Sequence, residues 1–244
     1  MRFVGLATGS VIWAVACAAN AGPDAKSGLN GIWLPSDRNF FVPASAQNVP
    51  GGPVQPGPRN LPPYRPDWEA RYQRMVAESR AGKVGADPTA KCLPPGMPRT
   101  MSTPFPFEIS MEKDRVLVLF EIGGVRRVWT DGRKHPAQDD LPITFLGDSV
   151  GRWEGDTLVI DTVGLRDDTV FDASGAPHSD QMHVVERARL ASKDSLEIRM
   201  TIEDPVAFTK PWEVVRTYDR KPNWQIMEFV CEENNRGIDP NAPN

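Results

Sequence analysis

Glu186 and His178 have the residue types for moving a proton. In "MHVVERARL" the side chains alternate, so Met182, Val184, Ala188 and Leu190 share one face of a strand with Glu186. A carboxyl set in an apolar lining is pushed toward neutrality, the condition for a general acid or base. His178, in the preceding loop "GAPHSD", is placed to act with it at the mouth of a cavity. A second polar loop, "TDGRKHP", brings Arg133 and His135, suited to gripping an anionic or carbonyl group. Its plainer reading is a turn with Asp-Gly at the tip.

The same alternation isolates other charges. Arg216 shares a face with Trp212, Val214 and Tyr218; Glu228 shares one with Trp224, Ile226 and Val230; Glu121 lies with Leu117 and Leu119. If these faces point inward, each charge interrupts an apolar lining, and a buried ion costs several kcal/mol unless paired or wetted. Two readings stay open. One is a structural Arg–Glu network, Arg216 with Glu186 or Glu228. The other is a wet cavity in which Glu121, Trp212, Arg216, Trp224 and Glu228, with Arg133 and His135, hold a small molecule.

Other chemistries find little support. The chain has three histidines, His135, His178 and His183, at spacings that match no compact metal pattern. The nearest grouping is His178, Asp180, His183 and Glu186, which reads as loop and strand residues. No nucleophile elbow, phosphate loop or dinucleotide fingerprint occurs, so neither a cofactor nor a metal is expected. The net charge of −4 is spread without a basic stripe, which argues against nucleic acid.

What must position these residues is a sheet. "RVLVLFEI" and "VRRVWTDGR" flank Gly123-Gly124, and "PITFLGDSVGRW" and "DTLVIDTVG" flank Glu154-Gly155, both hairpin signatures. The stretch "GRWEGDTLVIDTVG" therefore reads as a register-setting hairpin rather than a catalytic loop. "HVVERARL", "SLEIRMTIED", "PWEVVRTYD" and "WQIMEFVCEE" follow at regular spacing. Strands in succession with short turns predict an all-β, antiparallel up-and-down barrel of eight to ten strands, closed because an open sheet exposes its edges. Gly31-Ile32-Trp33 resembles the opening of lipocalin-like barrels, in which a Trp plugs one end. Residues 42–66 carry prolines too densely for helix or sheet interior and predict an extended segment. A helix follows over 66–82, with Trp68, Tyr72, Met75 and Val76 on the face that packs on the body.

Residues 1–21 have the charged start, apolar run and Ala-Asn-Ala ending of a secretory signal, leaving one domain over 22–244. Lipidation at Cys17 is the rival reading. Cys92 and Cys231 then remain, and two cysteines in an exported chain predict a disulfide. No later stretch is apolar for long enough to span a membrane, and oligomeric state is left open.

"CLPPGMPRTM", "RRVWTDGRKHP", "GDSVGRWEGDTLVIDTVG", "HSDQMHVVERARL", "TIEDPVAFTKPW" and "EFVCEENNR" together resemble a widespread family of exported bacterial proteins of Proteobacteria and Acidobacteria. The resemblance spans roughly Lys91 to Arg236; it implies export and a lipocalin-like barrel and carries over no catalytic residues. The reading that results is a periplasmic or secreted barrel holding a small, partly hydrophobic molecule, aromatic or terpenoid-like, beside a charged inner patch. Cofactor-independent lyase, isomerase or hydratase chemistry by Glu186 and His178 would extend it. The alternative is a non-catalytic binding protein, or an envelope interaction protein with a filled barrel.

Overall fold

The computed structural model describes residues 28–36, 60–81, 88–171 and 175–234. The signal segment, Cys17, most of the Pro-rich stretch and Gly82 lie outside the described residues.

Alternating apolar residues and short turns build nine strands: β1 (Gly31–Pro35), β2 (Phe107–Met111), β3 (Arg115–Phe120), β4 (Gly124–Trp129), β5 (Asp148–Glu154), β6 (Thr157–Val163), β7 (His183–Ser192), β8 (Ser195–Glu203) and β9 (Trp212–Arg220). They close into a barrel in chain order, β1 pairing with both β2 and β9. Helix α1 (Pro66–Arg80) runs outside the barrel, Tyr72 buried and Trp68 and Val76 packed on the core as its periodicity required.

The all-β barrel is as expected, but it is not antiparallel throughout. β4 and β5 run parallel, with Val128 opposite Ser149 and Trp129 opposite Val150. A parallel neighbour needs a crossover of about a dozen residues or more. Residues 130–147 supply it, so "TDGRKHP" is part of a long excursion rather than a tight turn. Gly151 serves this seam: a Cβ there would lie 2.8 Å from Cγ1 of Val128. "GRWEGDTLVIDTVG" is the expected hairpin, turned by Gly155 at φ +62°, with Leu158 opposite Ala188 and Ile160 opposite Glu186 on the next strand.

One predicted strand does not form. "WQIMEFVCEE" has no ladder; residues 221–230 are irregular and Cys231–Asn234 is a short helix, α2. β1 takes the place beside β9 that this segment would have needed. Trp224 and Glu228 are therefore exposed and outside the barrel.

Side chains fill both ends. At one, Phe107 stacks edge-on with Tyr218 at 5.0 Å, and the Tyr218 hydroxyl donates to the Met101 carbonyl at 2.8 Å. Trp33 is fully buried, its Nε1 donating to Leu29 O, with the Arg220 guanidinium 4.2 Å over its ring. At the other, Trp212 meets Phe171 and Phe208 edge-on, and those two rings stack on each other. Tyr64 joins it through Phe208, and its hydroxyl donates to Pro177 O.

Cys92 and Cys231 are joined, 139 residues apart in sequence. Cross-linking so long a loop restricts the unfolded chain by about 5 kcal/mol on the chain-entropy account. A Cys92→Ser/Cys231→Ser variant is expected to lose about that much in urea unfolding. A loss of less than about 1 kcal/mol would show that the bond contributes little.

Candidate functional site

Period two sends Glu186 into the barrel with Val184 and Ala188, and it is buried there as expected. Its partner is Arg126 of β4, which meets it across the interior. Arg126 also donates to Ser149 Oγ at 3.1 Å and Thr162 Oγ1 at 2.7 Å, and those hydroxyls are 3.0 Å apart. The result is a chain of polar groups on β4, β5, β6 and β7 with its charges paired. This is a structural Arg–Glu network of the kind the first reading expected, with Arg126 as a cation that reading did not name. Arg126 was legible: it alternates onto the face of Val128, opposite Arg127, in "VRRVW".

Arg216 does face inward, buried, between Val214 and Tyr218 and opposite Ile198. Met200, Leu196 and Tyr218 expose no surface, Glu186 and Arg216 each expose 1%, and Arg126 2%, so side chains occupy the lumen among the described residues.

His178 is buried in the aromatic plug. Its Nε2 is 2.7 Å from Thr169 Oγ1, its Nδ1 3.0 Å from Ser179 O, and its ring packs on Phe171 at 5.2 Å. Burial pushes its pKa below the ordinary histidine value. Buried Asp204 fixes the same loop, accepting from Ser179 N and Oγ at 2.7 Å each and from Ala207 N at 2.9 Å. Glu186 and His178 thus belong to separate networks, the lumen ion pair and the end plug.

Among the remaining predicted residues, Glu121, Arg133, Trp224 and Glu228 are not in the lumen. Glu121 follows β3 at a turn and accepts from Met227 N at 3.3 Å; Leu117 and Leu119, whose face it shares, point outward. Arg133 is ion-paired to Asp131 at 2.7 Å and stacks on Trp129 at 3.7 Å. Trp212 lines the barrel end inside the aromatic plug.

His135 lies on the outer wall, in a polar group the sequence reading missed. The crossover lays it over β5 and β6, its Nδ1 2.6 Å from Asp148 and its Nε2 3.2 Å from Asp161. His183, at the start of β7, places its Nε2 2.8 Å from the same Asp161 oxygen. Its Nδ1 is 3.6 Å from Glu203 of β8. The bond from His183, and secondarily that from His135, holds the Asp161 carboxyl below the usual range. The same bond to Asp161 raises His183. The signal was available, since Asp161 and Val159 alternate onto the face opposite Ile160.

A concavity also lies outside the lumen. A cleft of about 760 Å³ lies between the β3–β4 turn and the disulfide-tied C-terminal segment. Pro94, Pro95, Phe105, Ile122 and Phe229 give it apolar walls, with Arg99 and Glu121 among its charged groups. The Phe105 and Phe229 rings pack at 5.8 Å.

No family model matches the chain, and no curated protein does. Among solved structures, a mutant of the fluorescent protein UnaG is similar, with a TM-score of 0.36 and 13% identity over 81% of this chain and 99% of that one. The barrel itself rests on the strand pairing described above.

Two outcomes follow for stability. Arg126→Met is expected to cost about 3–5 kcal/mol by stranding a buried carboxylate, whereas Arg126→Met/Glu186→Leu should cost clearly less. A double variant as damaged as the sum of the singles would mean that the pair is not the point of strain. For His178, folded and unfolded chains are both neutral well above pH 6.5. As pH falls through that value the unfolded chain takes up a proton that the folded one resists, so stability drops, by at most about 1.4 kcal/mol per pH unit. Between pH 7 and 5, the wild type should therefore lose more stability in denaturant titrations than His178→Gln. Equal losses would remove His178 from the account.

Proposed function

We propose that this chain is an exported β-barrel protein that holds a small, partly hydrophobic molecule in the cleft beside the disulfide, not in the lumen. The observation that carries the reading is the cleft's size and lining. At about 760 Å³ it falls within the roughly 300–1,000 Å³ range of small-molecule sites. Its walls are ring and proline surface, and Arg99 and Glu121 bring opposite charges to it, which suits an aromatic or terpenoid-like ligand carrying a polar group. Export is supported by the leader-like first 21 residues, by the disulfide, and by the family resemblance. Among the described residues no helix is long and apolar enough to cross a membrane. Acid–base turnover by Glu186 and His178 is not part of this reading, because both are buried in separate packed networks.

A second reading, an envelope interaction protein with a filled barrel, is favoured by apolar side chains on the same C-terminal segment. Trp224 is 51% exposed and Met227 59%.

Native mass spectrometry of protein from its own host is expected to find one small molecule per chain. Phe229→Ala removes one wall of the cleft and an aromatic contact, which should lower retention about tenfold. A bare chain in the host, or a ligand unaffected by Phe229→Ala, would leave the interaction reading. That reading predicts loss of envelope association in Trp224→Ala/Met227→Ala instead.

A further inference from the structure

One wall of the cleft is built into the barrel, and the other is tied to it. Pro95, Met97 and Met101 of the first are buried, Met97 N donates to Phe145 O at 2.8 Å, and Thr100 Oγ1 donates to Ile122 O at 3.2 Å. The second wall is Phe229 to Glu232 of the C-terminal segment. None of residues 221–233 is buried, and 221–230 make no ladder. Apolar burial therefore does little to hold this segment, and stretches of that kind open first in a folded chain. Its ties near the cleft include the bond from Met227 N to Glu121 at 3.3 Å, the Phe229 ring 5.8 Å from Phe105, and the disulfide from Cys231 to Cys92. The first two are weak individually; the third is covalent.

That covalent tie is itself part of the cleft. Cys92 and Cys231 both line it, one on each wall, and neither residue is buried, so the bond is not sealed from an external thiolate. Cys92 stands at φ +57°, a backbone conformation that is costly for a non-glycine residue and recurs at clamps and switch regions.

We propose that the Cys92–Cys231 disulfide is a redox latch on the cleft: oxidised, it holds the Phe229–Glu232 wall against the barrel and keeps the ligand in place; reduced, it frees that wall and the ligand leaves. The latch rests on the cleft being the ligand site. Its co-reactant is an external dithiol. One thiolate of the dithiol attacks a sulfur of the pair, the Cys92–Cys231 bond breaks, and the other cysteine leaves as a thiolate that takes up a proton. The second thiol of the reductant then displaces the first cysteine. Two electrons and two protons pass to the chain, which ends with two thiols, and the dithiol ends as a disulfide. The nine strands keep their ladders, because neither cysteine belongs to one. Ligand and bond are coupled in both directions: if opening the bond weakens the ligand, bound ligand protects the bond by the same factor.

The probe is N-phenylnaphthylamine, an aromatic amine that fluoresces in apolar surroundings. Titrated into the oxidised chain it should bind once per chain, and Phe229→Ala should weaken it about tenfold. Dithiothreitol should weaken it about a hundredfold, since losing the whole wall removes more apolar surface than losing one ring. Circular dichroism of the barrel should stay unchanged while residues 221–234 become open to protease. Cys92→Ser/Cys231→Ser should match the reduced chain and ignore dithiothreitol. By linkage, saturating probe should lower the midpoint potential of the disulfide by about 60 mV, the equivalent of a hundredfold for a two-electron couple. Binding that depends on Phe229 but changes less than about threefold on reduction, with an unmoved potential, overturns the latch and leaves the cleft as the ligand site. So does a barrel that unfolds on reduction, since the bond is then a brace for the fold. An oxidised chain that takes up no probe, or takes it up regardless of Phe229→Ala, overturns the cleft reading and the latch with it.

Discussion

The ion pair of Arg126 and Glu186 constrains everything around it. Charges buried this deeply are tolerated only when each is paired and their remaining hydrogen-bonding capacity is met. Ser149 and Thr162 meet it from β5 and β6, and they do so at one register only. A slip of one residue on either strand would turn its hydroxyl to the outside and leave the guanidinium short of a partner. The pair thus joins β4 to β7 across the interior and fixes the strands between them.

That constraint also decides where function can reside. The lumen carries the paired charges and is lined at its two ends by Trp33, Phe107 and Tyr218 and by Phe171, Phe208 and Trp212, all buried. The two features that face outward both depend on excursions from the sheet. One is the 130–147 crossover forced by the parallel β4–β5 seam, which lays His135 on the wall. The other is the C-terminal segment, which cannot join the sheet because β1 already pairs β9, and which the disulfide pulls against the β3–β4 turn to form the cleft.

Much of the barrel was legible because period-two alternation and glycine turns are local signals. The faces of β6, β7 and β9, the hairpin at Gly155 and helix α1 all follow from short stretches read on their own. Partners are not local. Glu186 was recognisable as a buried carboxylate, but its cation lies 60 residues earlier, on a strand whose inward Arg126 stands next to an outward Arg127. The last strand failed for a related reason: "WQIMEFVCEE" has strand composition, yet the edge it would need is taken by β1, a fact of closure rather than of sequence pattern. His135 and His183 were each read alone, and their meeting at Asp161 depends on the crossover's path.

The lumen network and the outer-wall cluster are back to back on the same strands. On β5, Ser149 points in and its neighbour Asp148 points out; on β6, Thr162 points in and Asp161 out; β7 carries Glu186 inside and His183 outside. Because adjacent side chains on a strand take opposite faces, the register that satisfies Arg126 is the one that brings Asp148 and Asp161 to the two histidines. The interior therefore does more than fill the barrel. By fixing β5, β6 and β7 against one another with buried hydrogen bonds, it holds the exposed carboxylates and the histidines they bind at spacings that flexible surface side chains could not keep by themselves.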